Sequence, residues 1–210
     1  MKYFYFLFIP LMVACSGKVN RSQQTIVGVI PLGNVPAVEV DSMKAAIHRM
    51  YDLKVVELPG VPLPEMAFTK VRSPRYRADS IVRWLPSIKP DSVSIIVGLT
   101  VKDISITKYQ NKTGKIKEPE WKYRDFGIFG LGQLGGKSCL ISSYRLHGGV
   151  GEKGFYKRFT RIGCHEVGHV LGLPHCPEKN CLMNDANESI KTLDNSTGDL
   201  CKACWNKIHN

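Results

Sequence analysis

Apolar positions along this chain follow two rhythms that alternate with each other. TIVGVIPLG (residues 25–33) is a short β-branched run stopped by Pro31 and Gly33, which predicts a strand. Residues 41–53 place Met43, Ile47, Met50 and Leu53 at helical spacing, with Asp41 or Ser42 as the cap. LKVVEL (53–58) reads as a strand again and PGVPLP (59–64) breaks it. Pro74 opens a second predicted helix through Ile81, Trp84 and Leu85, closed by Pro86. SVSIIVGLT (92–100) predicts a buried strand and SCLISSYRL (138–146) the next one. Between them, residues 108–124 are charged and carry Gly and Pro, so they read as a loop or insertion. From Phe155 a helix runs to Leu171, where Gly172 ends it in the left-handed conformation. No internal repeat is visible. Strands alternating with helices, then a cysteine-rich tail, predict an α/β layer followed by a small irregular subdomain.

The first residues break this pattern. Lys2 precedes twelve apolar residues, YFYFLFIPLMVA, and then Cys15. A bilayer span takes roughly 20 residues, so this run fits the apolar part of an export signal. MVAC followed by SGK resembles the lipobox of bacterial lipoproteins, with Cys15 as the lipidated residue. An ordinary cleaved signal and a retained anchor are the alternatives. Residues 1–14 are then signal, 15–24 a polar tether, and 25–210 one domain. The expected location is the cell envelope, on its periplasmic or surface face.

At 210 residues, 43% hydrophobic and 22% charged, the chain suits one packed domain and excludes disordered or collagen-like classes. Its formal charge of +11 gathers around Arg72, Arg75 and Arg77, in residues 108–124 and in residues 153–161. Export and the lack of an aromatic-interleaved basic platform argue against nucleic acid. A solvated positive face is the simplest reading, and attraction to anionic lipid or cell-surface polymer the other.

The chemistry is concentrated in CHEVGHVLGLPHC, residues 164–176. His165 and His169, four apart on a helix, lean off one face and bring two nitrogens to one ion. Glu166, beside the first histidine, is placed to act as a general base. His175 lies past Gly172, whose bend returns it to the metal. Three neutral histidines leave a tetrahedral zinc one open position, as catalytic sites do. By typical residue usage, HExxHxxGxxH arises by chance in roughly one chain of this length in 10⁵.

That pattern resembles the metzincin zinc peptidases, which carry a methionine beneath the metal; Met183 is the candidate. Cys176, Cys181, Met183, Cys201 and Cys204 follow at spacings similar to those of the archaemetzincin family. IIVGLTVKDIS (95–105) and FGIFGLGQLGGKSCLISSYRL (126–146) resemble that family's central strand and its substrate-side edge strand. The resemblance runs from about Thr25 to Trp205. It implies a metzincin-like α/β fold: one compact domain, a mixed, mostly parallel sheet with an antiparallel edge strand, and an active-site helix. It also implies a small zinc-bound C-terminal subdomain.

On their spacing the four late cysteines suit a structural zinc, with two disulfides or free thiols as alternatives. The resemblance implies the zinc. Two zinc ions per chain are therefore expected, one catalytic and one structural. Cys164 reads as core and Cys139 has no assigned role; a bond between them is a further option. His48, His147 and His209 have no partner at ligand spacing. Tyr144 and Arg145 close the 138–146 strand, near where a substrate would lie.

The expected function is a zinc metallopeptidase in which Glu166 takes a proton from a zinc-activated water. A peptide or protein substrate would add to the 138–146 strand. A monomer and a membrane held through the lipid are the other expected partnerships. The alternative is a zinc-stabilised surface module without turnover; a zinc hydrolase of non-peptide bonds is a third. Retention of Glu166 favours the enzyme.

Overall fold

A computed structural model describes residues 25–110, 113–185, 190–195 and 197–209. Cys15, the signal and the tether lie outside these residues. Among the described residues, no helix is long and apolar enough to cross a membrane.

The four predicted strands, joined by a fifth, form a sheet in the order β2-β1-β5-β9-β8. Here β1 is Ile26–Pro31, β2 Lys54–Glu57, β5 Ile95–Thr100, β8 Gly130–Gly132 and β9 Ser138–Ser142. The first four in that order are mutually parallel, and β8 runs antiparallel to β9. Both faces are covered, which is why the inner strands read as nearly continuous apolar runs. Val27, Val29, Val97, Leu99, Cys139 and Ile141 point to one side. Ile30, Leu32, Ile96 and Leu140 point to the other.

The first face packs against α1 (Ala37–Tyr51) and α4 (Glu152–Val170), through Met43, Ile47, Phe159 and Val167. The second packs against α2 (Ala78–Trp84) and a small sheet. That sheet orders β3 (Phe68–Thr69), β4 (Arg75–Arg77), β6 (Ile104–Ile106) and β7 (Phe126–Ile128) as β3-β4-β6-β7. Three short helices complete the chain: α3 (Glu120–Tyr123), α5 (Ile190–Asn195) and α6 (Lys202–His209).

Four expectations need correction. Helix α1 starts at Ala37, after Pro36, and not at Asp41; Pro36 sets the backbone without a side-chain cap. Pro74 leads into strand β4, and α2 begins only at Ala78. Within 126–146 the antiparallel edge strand is β8; the 138–146 stretch along which a substrate is expected holds β9, paired on both sides, and Tyr144 and Arg145 lie in a turn beyond it. The basic clusters are not simply a solvated face. Arg75 is buried between Asp103 and Asp125, and Arg158 is buried against Asp194.

Candidate active site and metal centres

Helix α4 carries His165, Glu166 and His169 on its last turns, and Leu171 caps it. Gly172 then takes φ +95°, a backbone conformation that a side chain would strain, and turns the chain so that His175 comes back. The three histidines each offer one nitrogen, all within 4.8 Å of one another. Nδ1 of His165 donates to the carbonyl of Leu182, and Nδ1 of His169 to that of Leu173, both at 2.8 Å. A carbonyl only accepts, so the proton is on Nδ1 and each Nε2 keeps its lone pair. Burial pulls the His165 pKa down to about 4 and lowers that of His169, holding both neutral. Nε2 of His169 lies 3.2 Å from Nε2 of His175. Two nitrogens sharing a tetrahedral zinc at about 2.0–2.1 Å stand about 3.3 Å apart, so the set fits that ion.

Glu166 is buried beneath β8. Its carboxylate accepts the N–H of Gly132, while burial drives its pKa up to about 8; a dication at the histidines would oppose that rise. Only glycine fits above it. A Cβ on Gly130 would come 2.7 Å from Cγ of Glu166, and one on Gly132 would run into that residue's backbone oxygen.

The loop after His175 is tied to the helix from below. Cys176 pairs with Asn184 across a parallel bridge, and its N–H donates to the carbonyl of Met183 at 2.8 Å. Met183 is fully buried, and its sulfur stands 2.5 Å from where a Cβ on Gly168 would be, beneath the histidine-bearing turn. The sulfurs of Cys176, Cys181, Cys201 and Cys204 lie within 4.8 Å of one another. Sγ of Cys176 and Sγ of Cys201 are 3.8 Å apart. A disulfide needs about 2.05 Å, whereas two sulfurs on one tetrahedral zinc stand about 3.8 Å apart. The backbone of Cys204 pulls the Cys201 thiol down to about 7, towards the thiolate that ligates.

Cys139 and Cys164 are buried in the same core and are not joined. His48 bonds the carbonyl of Leu53, His147 stacks on Phe155 and His209 on Trp205; none joins either cluster. Outside the motif, a cleft of about 420 Å³ opens from His165 and Glu166. Trp121 and Lys122 of the charged insertion line it, as do Arg72, Arg75 and Arg145. Arg145 was legible only as lying near the substrate, and Arg72 and Arg75 only as positive charge.

A helix presenting two histidines and a buried glutamate, a glycine turn returning a third, and a methionine below define a zinc metallopeptidase of metzincin type. Residues 38–210 match Peptidase family M54, and the chain belongs to that family. It is 30% identical over 190 residues to an archaemetzincin of Natronomonas pharaonis, covering 87% of this chain and 98% of that one. The crystal structure of archaemetzincin from Methanopyrus kandleri is similar with TM-score 0.70 and 25% identity, over 90% of this chain and 96% of that one. That from Archaeoglobus fulgidus, complexed with malonate, has TM-score 0.67 and 24% identity, over 87% and 99%, and bears on the fold alone.

Proposed function

We propose that the protein hydrolyses peptide bonds at a zinc held by His165, His169 and His175, with Glu166 as general base. A second zinc, held by Cys176, Cys181, Cys201 and Cys204, fixes the loop beneath. The reading is carried by the convergence of three imidazole nitrogens beside one buried carboxylate. Zinc bound there supplies Lewis acidity, polarising a carbonyl and making water more acidic. One carboxylate oxygen of Glu166 is taken by the Gly132 N–H; the other accepts the proton of the attacking water and returns it to the leaving amine. Met183 supports the turn that holds the histidines. A peptide lies extended along β8, the outer strand of the sheet, rather than along β9, whose two sides are already paired.

Export with a lipid on Cys15, and action as a monomer at the cell envelope on a peptide or protein substrate, complete the reading. The sequence of residues 2–18 supports the anchor. A Cys15→Ala chain should then leave the membrane fraction.

Glu166→Gln tests the catalytic role. It should keep the zinc content of the wild type and cleave a mixed peptide library slower by about 10²–10⁴-fold. Full activity with zinc retained overturns the role, and cleavage by neither protein returns the non-catalytic binding module.

A further inference from the structure

The cleft that begins at Glu166 leads to a cluster of cations. Its wall is β7 and the start of β8, from Phe126 to Gly130. Position 130 sits over Glu166. Position 127 sits over Arg145, whose guanidinium occupies the space where a Cβ on Gly127 would be. Two residues separate these positions, so they are three steps apart, at most about 11 Å of chain. Arg72, Arg75 and Lys122 complete that end: Nη1 of Arg72 donates to the carbonyl of Lys122, and Nη1 of Arg75 to that of Asp125.

The charges do not balance. Four cations line this end, and two carboxylates, Asp103 and Asp125, stand behind it. Arg75 and Arg145 are spent on these. Arg77 also reaches Asp125, but Asp79 serves it as well. Among the described residues, no carboxylate pairs with the side chain of Arg72 or Lys122; Arg72 instead lies over the Trp121 ring at 5.2 Å. Positive charge in a walled cleft concentrates the field on what enters it.

Arg145 is the oriented member. Its Nε and Nη2 hold Asp103 at 2.6 and 2.8 Å, so the planar fork is fixed before any ligand arrives. Nη1 makes no hydrogen bond among the described residues, and 35% of the side chain is exposed.

We infer that this basic end is a specificity site for a carboxylate of the substrate, borne one or two residues from the bond that is cut. The span from Glu166 sets that offset, since extended chain advances about 3.3 Å per residue and an acidic side chain adds its own length. The carboxylate has two sources: an Asp or Glu side chain, or the terminal carboxylate of a peptide trimmed from its end. The inference rests on the peptidase reading for its orientation, and its test separates the two.

The probes are alanine-rich octapeptides, identical except that Glu or Gln is walked along them, each made as free acid and as C-terminal amide. The full-length zinc-loaded protein should cleave the best Glu peptide about tenfold faster, in kcat/KM, than its Gln counterpart. If the terminal carboxylate is the ligand, the tenfold gap separates acid from amide and not Glu from Gln. Either gap should fall below twofold in Arg145→Gln and shrink in Arg72→Ala, whose exposed side chain is outside the packed core. Arg83→Gln, remote on α2, should retain it.

Binding of the same peptides to zinc-loaded Glu166→Gln, by calorimetry, gives a readout without turnover. Discrimination there with no cleavage by wild type overturns the peptidase reading and upholds the site. Cleavage that depends on Glu166 but ignores every carboxylate overturns the site.

Discussion

Nδ1 of His165 reaches 2.8 Å to the carbonyl of Leu182, and through that one bond the active-site helix is oriented by the cysteine loop. Leu182 stands next to Cys181 and is itself fixed by its N–H to Asp199, at 2.7 Å. The ring angle of His165 therefore depends on chain that lies beyond Cys181.

Removing one sulfur should be felt at the histidines. Cys201→Ser should drop zinc from two ions per chain to one, measured by elemental analysis. It should also weaken the remaining ion by about tenfold in chelator competition, the usual cost of losing support behind a ligand. One ion in both proteins would favour two disulfides instead.

The contact between β8 and α4 should be equally sensitive. In Gly132→Ala the new methyl meets the backbone oxygen of Glu166, which no side-chain rotation relieves. Urea denaturation should show a loss of about 1–3 kcal/mol, and peptidase activity should fall more than stability predicts, because relieving the clash moves the residue 132 N–H off the Glu166 carboxylate. Gly148→Ala, with nothing within 4 Å of the new methyl, is the control and should change little.

Much of this site was legible because helical geometry is local: HExxH needs only one regular turn, and Gly172 announces the bend. The parallel strands were legible because both of their faces are buried. The small sheet was not. Strands of two and three residues, such as Phe68–Thr69 and Arg75–Arg77, are too short to display an alternation. Arg75 looked like surface charge because its partners, Asp103 and Asp125, are 28 and 50 residues away along the chain. The double pairing of SCLISSYRL is hidden for a related reason: its bond to β8 depends on the hairpin, and GLG carries no strand pattern of its own.

Acid should act on the pair that holds α5 to α4. Arg158 donates Nε and Nη2 to Asp194 at 2.8 and 2.6 Å, and this bond holds the Asp194 carboxyl below its ordinary value. A depressed folded pKa stabilises the fold above the unfolded value, near 3.8, and that stability is lost as pH falls through the folded pKa. Wild type should thus exceed Asp194→Asn by about 1 kcal/mol at neutral pH, a figure reduced for screening at a carboxylate 38% exposed. Denaturant titrations should show the gap closing below about pH 4.

The tie from Leu182 to Asp199 also sets an order of events during synthesis. A ribosome that has just finished the histidines has made every catalytic side chain, yet not the strap that aims the first of them. The first histidine is therefore aimed only once residues 182 and 199 have joined the fold.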